Sequence, residues 1–187
     1  SRATAGGEEP KTQAAAALDA GDRWQLFLDD RAIESQRDVR FVLHSPRPAE
    51  IVIQRDRPWE DSTMFDPVVI KDGDRYRMWY RANFNSPPYY TAYAESEDGI
   101  RWTKPSLGLV DYGGSKDNNV VWVGDHGKQD GQSTVWCVFK DENPSAPVEE
   151  RYKATGMAAG NGLQGLVSPD GIHWRLLRTE KVVPAVG

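Results

Sequence analysis

A seven-residue pattern, Ser-x-Asp-Gly-Ile-x-Trp, occurs twice in this chain. Its copies are SEDGIRW at residues 96–102 and SPDGIHW at residues 168–174, so the two lie 72 residues apart. The Asp-Gly pair predicts a chain reversal, because glycine accepts a positive φ without steric cost and the aspartate side chain can accept hydrogen bonds from the amides that follow. We therefore predict a hairpin corner in each copy, covered by its own tryptophan, with Trp102 and Trp174 in equivalent buried positions.

Segments rich in β-branched and aromatic residues surround each copy in the same order. Such residues favour strands, and the Gly, Asn and Pro residues between the segments favour turns. Three segments precede each corner and a fourth begins within it. They are 66–73, 75–82, 89–96 and 100–105 around the first copy, and 133–141, 151–159, 163–168 and 172–179 around the second. The pattern predicts two four-stranded antiparallel units.

A four-stranded antiparallel unit that repeats along a chain is typical of a β-propeller blade. We therefore predict an all-β chain with blades over 66–105 and 133–179, preceded by two further strands at 24–30 and 39–46. Closed propellers hold typically 4–8 blades, so residues 23–187 are expected to form an incomplete propeller domain. The remaining blades, or a partner chain, would complete it.

The first residues differ in composition from the rest. Residues 1–22 consist mainly of Ala, Gly, Glu and Thr without apolar periodicity, which predicts a flexible leader. These small residues suit what remains after signal-peptide cleavage, so we expect a secreted or periplasmic protein.

The whole chain has 187 residues and a net charge of −5, with its Lys and Arg dispersed, which argues against nucleic acid as a partner. No apolar stretch is long enough to predict a membrane span.

Motifs for metals, cofactors and nucleophilic serines are missing from the sequence. The three histidines have no ligand spacing, and neither a Gly-x-Ser-x-Gly motif nor a glycine-rich phosphate loop occurs. We expect no cofactor and no metal site. The polar loop around His126 is interpreted as a plain loop, although Asp125 and Asp130 could hold a cation there. The single cysteine, Cys137, is expected to be a small buried residue in a strand.

Two carboxylates stand out by their position. Asp66 begins the first strand of the first predicted blade, and Asp141 ends the first strand of the second. First strands of blades line the central channel of a propeller, so these side chains are expected to converge there. A pair of carboxylates is the equipment of glycoside hydrolysis. The alternative stays open that Asp66 caps a turn before Pro67 and that Asp141 only begins a loop.

The stretches MFDPVVIKDGDRYRMWYRANFN and YAESEDGIRW resemble the five-bladed propeller glycosidases of glycoside hydrolase families 32, 43 and 68. The resemblance implies five blades in the complete protein and makes Asp66 the nucleophile or the general base. It matches Asp141 to an aspartate that stabilises the transition state or tunes the acid, with Glu142 and Asn143 intervening before Pro144. It also implies a glutamate as general acid on a third blade, outside this chain. LFLDDRAIES, RFVLHSPRP, DRPWED and GSKDNNVV are similar to secreted propeller proteins of planctomycete-type bacteria described as glycosyl hydrolases.

Two functions are therefore expected as alternatives. The first is part of a secreted glycoside hydrolase that acts on polysaccharide or oligosaccharide, with Trp59, Trp79 and Tyr90 as platforms for sugar rings or, alternatively, as core residues. The second is a noncatalytic carbohydrate-binding or assembly propeller.

Overall fold

The computed structural model describes residues 21–22, 29, 33–61, 64–83, 87–124, 134–158 and 162–184. The chain divides into two compact units, Ser1–Pro48 and Ala49–Gly187. The described residues of the first unit form no strand, so the strand predicted over 39–46 is wrong. The strand predicted over 24–30 and the predicted leader lie almost wholly outside the described residues.

The second unit contains two four-stranded antiparallel sheets. Strands that follow one another in the chain are neighbours in each sheet. Sheet 1 consists of β1 (Phe65–Asp72), β2 (Arg75–Arg81), β3 (Tyr89–Ser96) and β4 (Val120–Gly124). Sheet 2 consists of β5 (Trp136–Lys140), β6 (Tyr152–Ala158), β7 (Gly162–Ser168) and β8 (Arg175–Leu176). The predicted all-β class with two such sheets is confirmed. No helix in the described part of the chain is long and apolar enough to cross a membrane.

The two sheets share one register around their corners. Tyr76 of β2 is paired with Ser96, and Tyr152 of β6 is paired with Ser168, so these two tyrosines are equivalent. On the first strand of each sheet, Lys71 of β1 is opposite Tyr76 and Lys140 of β5 is opposite Tyr152. The sequence repeat is therefore a repeat of structure.

The fourth strand of sheet 1 lies elsewhere than predicted. Residues 100–105 contribute only the bridge between Thr103 and Glu95, and the regular fourth strand is β4, which begins at Val120. The connection to the fourth strand is shorter in sheet 2. Thr91 of β3 is opposite Trp122, 31 positions later in the chain, whereas the equivalent residue of β7, Leu163, is opposite Val183, only 20 positions later. Sheet 1 thus carries eleven additional residues in this connection.

Each corner is built by the same hydrogen bonds. The serine Oγ accepts the amides of the aspartate and the glycine, at 3.2 and 2.9 Å in the first copy and 3.3 and 2.9 Å in the second. The aspartate Oδ1 accepts the next two amides, at 2.8 and 2.7 Å and at 2.9 and 2.8 Å. The tryptophan Nε1 donates to the glycine carbonyl, at 3.0 and 2.9 Å. The predicted corner and its tryptophan cover are confirmed.

Sheet 1 is covered by apolar side chains on both faces, which explains the unbroken run MWY in β2. The inter-sheet core lies between the sheets and comprises Trp79, Tyr93, Val121, Val135, Val138, Tyr152, Ala154, Leu166 and Trp174. The Trp59 core lies on the other face and comprises Trp59, Met78, Tyr80, Ala82, Ala92, Ala94 and Val120. The prediction that both corner tryptophans occupy equivalent buried positions is wrong. Trp174 is buried in the inter-sheet core because sheet 1 packs over the second corner, whereas Trp102 is only half-buried against the Trp59 core.

Candidate functional site

The candidate site lies where β1 and β5 begin, and we call Asp66, Arg81 and Trp136 the Asp66 cluster. Arg81 donates from Nη2 to Asp66 Oδ2 at 2.5 Å. The guanidinium of the same arginine lies over the Trp136 ring, 4.7 Å from its centroid. The cluster therefore joins the first strand of sheet 1 to the first strand of sheet 2 through a residue of β2.

The backbone at Asp66 is unusual. Its φ is +50°, in the left-handed region, and it sits in a β-bulge between Phe65 and Val68. Aspartate tolerates this region better than most residues, but a residue that precedes proline, here Pro67, normally adopts an extended conformation. Strained residues of this kind cluster at functional sites. The bulge gives Asp66 a side-chain direction that a regular strand would not.

The two members of the ion pair differ in exposure. The side chain of Arg81 is 5% exposed, and that of Asp66 is 51% exposed. A buried guanidinium is costly unless it is paired, so the aspartate and the indole ring together stabilise Arg81 in place. In return, Arg81 orients one carboxylate oxygen from the protein side. The carboxylate is thus held in position and still open to an approaching ligand.

Asp141 lies at the other end of these strands. It follows β5 directly, next to Lys140, which pairs with Asp72 at the end of β1. Asp66 and Asp72 are six positions apart in β1, which corresponds to about 20 Å at the rise of a strand. The two carboxyls of a glycosidase are about 5–9.5 Å apart. The structure does not bring Asp66 and Asp141 together.

The register identifies Asp72 as the counterpart of Asp141, because each follows the lysine opposite the repeated tyrosine. Both aspartates pair with a basic residue on the neighbouring second strand: Asp72 with Arg77 at 3.1 Å, and Asp141 with Lys153 at 2.5 Å. The hydrogen bond from Lys153, followed by the Asn143 amide, lowers the pKa of Asp141. These bonds indicate a structural role for Asp141 in sheet 2.

Asp72 also ties the two sheets together. It accepts hydrogen bonds from Lys140 and from the Tyr152 hydroxyl, both in sheet 2. Burial raises the pKa of Asp72, but these two bonds and the Arg77 charge outweigh it and lower the pKa below its usual value. Burial and the bond to Asp72 raise the pKa of Tyr152 to about 12. The tyrosine therefore remains a hydrogen-bond donor at neutral pH.

Two of the three predicted sugar platforms are core residues. Trp79 is 1% exposed, and its Nε1 donates to Gly171 O at 2.6 Å. Trp59 is 8% exposed, and its Nε1 donates to Asn119 Oδ1 at 2.8 Å. Both rings are covered by protein, so the alternative of a core role holds for them. Tyr90 is half-buried at the start of β3 and packs against the Trp59 core, on the face of sheet 1 turned away from sheet 2.

Cys137 departs from its predicted burial. It has a φ of +47° in the bulge of β5 between Trp136 and Phe139, and its side chain is exposed. Val138 is buried in the inter-sheet core, so alternation places Cys137 on the opposite side, with the exposed Phe139. The first strands of both sheets thus contain a bulge with a residue in the left-handed region.

The functional partner that the sequence interpretation missed is Arg81. It lies within the apolar run MWYRA of β2, and a charged residue in such a run needs a partner when the strand is buried. That signal pointed to Arg81 but not to Asp66 as its partner. The stacking of Trp136 had no signal, because it depends on how the second sheet packs against the first.

A second buried charge pair stabilises the other face of sheet 1. Lys104, whose side chain is 6% exposed, lies 2.7 Å from Glu60, whose side chain is fully buried. Glu60 also accepts the Tyr80 hydroxyl at 2.6 Å and the amides of Asp56 and Arg57 at 2.9 and 3.1 Å. Every oxygen of Glu60 is thus engaged, which indicates an anchor for the segment around it. No group of three potential metal ligands is present among the residues that the structure describes.

Comparison with known proteins gives two partial relatives. They are uncharacterized proteins of Mycobacterium tuberculosis, one from strain H37Rv and one from strain CDC 1551 / Oshkosh, and each is 41% identical to this chain over 61 residues. The matching segment covers 29% of this chain and 20% of each relative, so the chain spans about a fifth of the length of the curated relatives it matches. No family model and no solved structure matches the chain.

Proposed function

We propose that this chain is part of a glycoside hydrolase-like β-propeller that acts on polysaccharides or oligosaccharides, with Asp66 as the nucleophile or the general base. The observation that supports it is the Asp66 cluster: a half-exposed carboxylate in a strained bulge, held from below by a buried arginine. The resemblance of the surrounding sequence to five-bladed propeller glycosidases supports the same role. The small residues of the sequence 1–22 and the similarity to secreted propeller proteins are the reasons for proposing a secreted or periplasmic location.

The packing of the two sheets is compatible with propeller blades. β1 and β5 lie beside each other at both ends, through Arg81 and Trp136 at their starts and through Asp72 and Lys140 at their finishes. First strands that adjoin in this way are the arrangement expected around a central channel. Asp66 would then lie at one mouth of that channel, where a sugar chain could reach it.

The chemistry requires a second carboxyl group. One carboxylate attacks the sugar or activates water, and a carboxylic acid protonates the leaving oxygen. Asp141 does not fill the second role, because it lies at the opposite end of the adjoining strands. We propose that the acid comes from a further blade that faces Asp66.

The alternative is a noncatalytic carbohydrate-binding or assembly propeller. The separation of Asp66 from Asp141 favours it, since the pair of acids that the sequence suggested is not assembled. In this function the Asp66 cluster would accept hydrogen bonds from sugar hydroxyls without chemistry.

The test uses the complete natural protein and two matched substitutions, Asp66→Asn and Asp141→Asn. Both replace a carboxylate by an amide of the same shape. We expect Asp66→Asn to lose at least about 10²-fold in kcat/KM on any polysaccharide or oligosaccharide that the parent hydrolyses, because an amide can neither attack nor take a proton. Asp141→Asn should retain most of the parent's activity, because residue 141 takes no part in the chemistry and the amide oxygen can still accept a hydrogen bond from a lysine. Reducing-sugar release measures both, and circular dichroism checks that each variant is folded.

Two results would contradict this assignment. Hydrolysis by Asp66→Asn at the parent's rate removes the catalytic role of Asp66. A parent that binds oligosaccharides in affinity electrophoresis but cleaves none of them supports the noncatalytic alternative, and loss of that binding in Asp66→Asn would place the ligand at the same cluster.

A further inference from the structure

Sheet 2 has a face turned away from sheet 1. Along β6, Tyr152 and Ala154 belong to the inter-sheet core, so the alternating residues Lys153, Thr155 and Met157 point to the other side. These three are partly exposed. We call this side the outward face of sheet 2.

The register shows which part of sheet 1 corresponds to this face. Because Tyr76 and Tyr152 are equivalent, Lys153 corresponds to Arg77 and Thr155 to Trp79. In sheet 1 this side is covered by sheet 2. The outward face of sheet 2 is therefore the repeat of an occupied interface.

The occupied interface has a defined chemistry. Arg77 Nη1 donates to the carbonyl of Asp170 at 2.8 Å, and Trp79 Nε1 donates to that of Gly171 at 2.6 Å. β2 of sheet 1 thus binds the backbone of the second corner. The Trp174 ring completes the contact edge-on to Trp79, with centroids 6.5 Å apart. What sheet 1 recognises is the Ser-x-Asp-Gly-x-x-Trp corner itself.

The outward face retains one of the two donors of such a contact, because the basic Lys153 lies at the position of Arg77 while Thr155 lies at the position of Trp79. Arg77 pairs with Asp72 through Nε and still donates to the corner through Nη1. Lys153 pairs with Asp141 in the same way, and an ammonium has three N–H donors. A corner carbonyl placed over Lys153 would complete the same pattern.

Apolar exposure on this face fits an interface as well. Phe139 precedes Lys140 as Ile70 precedes Lys71, and Ile70 packs against the inter-sheet core. Phe139 is nevertheless 49% exposed, and Leu177, which fills the space beside Gly165, is 42% exposed. Phe139 is thus exposed at the position where Ile70 of sheet 1 packs against sheet 2.

Sheet 1 of another copy of this chain is a poor occupant. In that second copy, the surface that would have to dock is the face of sheet 1 that carries Met78 and Tyr80, and Trp59 already covers this face. The Trp59 segment is anchored there by Glu60 and Lys104. A docking unit must instead have the equivalent face uncovered. Sheet 2 meets this condition, because its equivalent face packs directly against sheet 1.

We propose that the outward face of sheet 2 binds a further four-stranded unit of the same repeat, whose corner carbonyls accept from Lys153 and whose first strand ends in a lysine that pairs with Asp141. This inference rests on the repeated-blade architecture proposed above, and it defines the partner by its chemistry. Asp141 then does for that unit what Asp72 does for sheet 2, where it accepts from Lys140 and Tyr152.

The test supplies such a unit as a known probe. A second copy of residues 125–184 is fused after residue 184 of the chain, because this copy carries the corner, the lysine and the tyrosine that dock on sheet 1. In the original sheet 2, Phe139→Cys introduces a thiol. Cys137→Asn removes the native thiol from the original sheet 2 and from the fused copy, so that position 139 is the one thiol left, and asparagine tolerates the positive φ of residue 137. The rate of maleimide labelling at position 139 is compared between the fused chain and the unfused chain.

We expect labelling to be slower in the fused chain by at least about tenfold, because a covered thiol reacts only after local opening. Lys153→Met in the original sheet 2, or Asp170→Ala in the fused copy, should restore much of the rate, whereas Glu149→Gln, away from the face, should not. Equal labelling rates in the fused and unfused chains would overturn the proposal. A fused copy that stays unfolded by circular dichroism would also overturn it, since docking is what should fold the copy. Labelling requires no activity, so the result is independent of the role of Asp66.

Discussion

Replacing the corner glycines by alanine separates the local role of the corner from its role in joining the sheets. Gly99 and Gly171 have φ values of +74° and +77°, so an added Cβ is strained equally in both. An L-residue in the left-handed region costs about 1–2 kcal/mol. Both substitutions should therefore destabilise the protein by at least that amount.

The surroundings of the two positions differ. A Cβ at Gly99 meets only ring carbons of Tyr76 at 3.7 Å, which is an ordinary contact. A Cβ at Gly171 lies 2.7 Å from an indole carbon of Trp79, and that ring is 1% exposed and bonded to the Gly171 carbonyl itself. The indole has nowhere to move. Overpacking of this kind costs about 1–3 kcal/mol, so Gly171→Ala should destabilise by that much more than Gly99→Ala.

Urea unfolding followed by far-ultraviolet circular dichroism measures both losses in free energy of unfolding. A double-mutant cycle identifies the cause: in a Trp79→Phe background, the excess loss at Gly171 should shrink, because the phenyl ring lacks the indole carbon that the new Cβ meets. The Gly171 carbonyl would keep its bond from Trp174 Nε1 at 2.9 Å. Equal losses for Gly99→Ala and Gly171→Ala would refute the docking of the second corner on Trp79.

Three further outcomes follow from the same contacts. Glu60→Gln leaves the buried Lys104 ammonium with only the exposed Asp56 carboxylate, at 2.7 Å, as its counter-charge and should cost about 1–3 kcal/mol in urea unfolding, and adding Lys104→Met should recover part of that loss. Burial raises the pKa of Asp170, but hydrogen bonds from the His173 amide and imidazole outweigh this effect and lower the pKa to about 2. Because the pKa of an aspartate in the unfolded chain is about 3.9, the free energy of unfolding should fall as the pH drops from about 5 towards 2. The fall should be smaller in Asp170→Asn. Cys137 is exposed, so one thiol should react with maleimide in the native protein without denaturant, and a thiol that reacts only after unfolding would contradict the bulge of β5.

Local features of this fold could be predicted from the sequence because they depend on neighbouring residues. Each corner is built by bonds that span at most three positions, so Ser, Asp and Gly at the right spacing were enough to predict it. Among the residues that the structure describes, seven of the eight strands overlap the predicted segments, since their β-branched and aromatic runs end at turn residues. β4 was missed because its ladder is separated from the corner by a connection whose length differs between the two repeats.

Only the tertiary structure decided which residues meet. Asp66 and Asp141 looked equivalent as acids on first strands, but the pairing register makes Asp72 the counterpart of Asp141 and places Arg81 beside Asp66. The bulges in β1 and β5 change which side chains point outward, and no local sequence pattern predicted these bulges. The formation of strands and corners depends on the preferences of neighbouring residues, whereas register and burial depend on the sheet that packs alongside. For that reason the corners could be predicted from the sequence, and the Asp66 cluster could not.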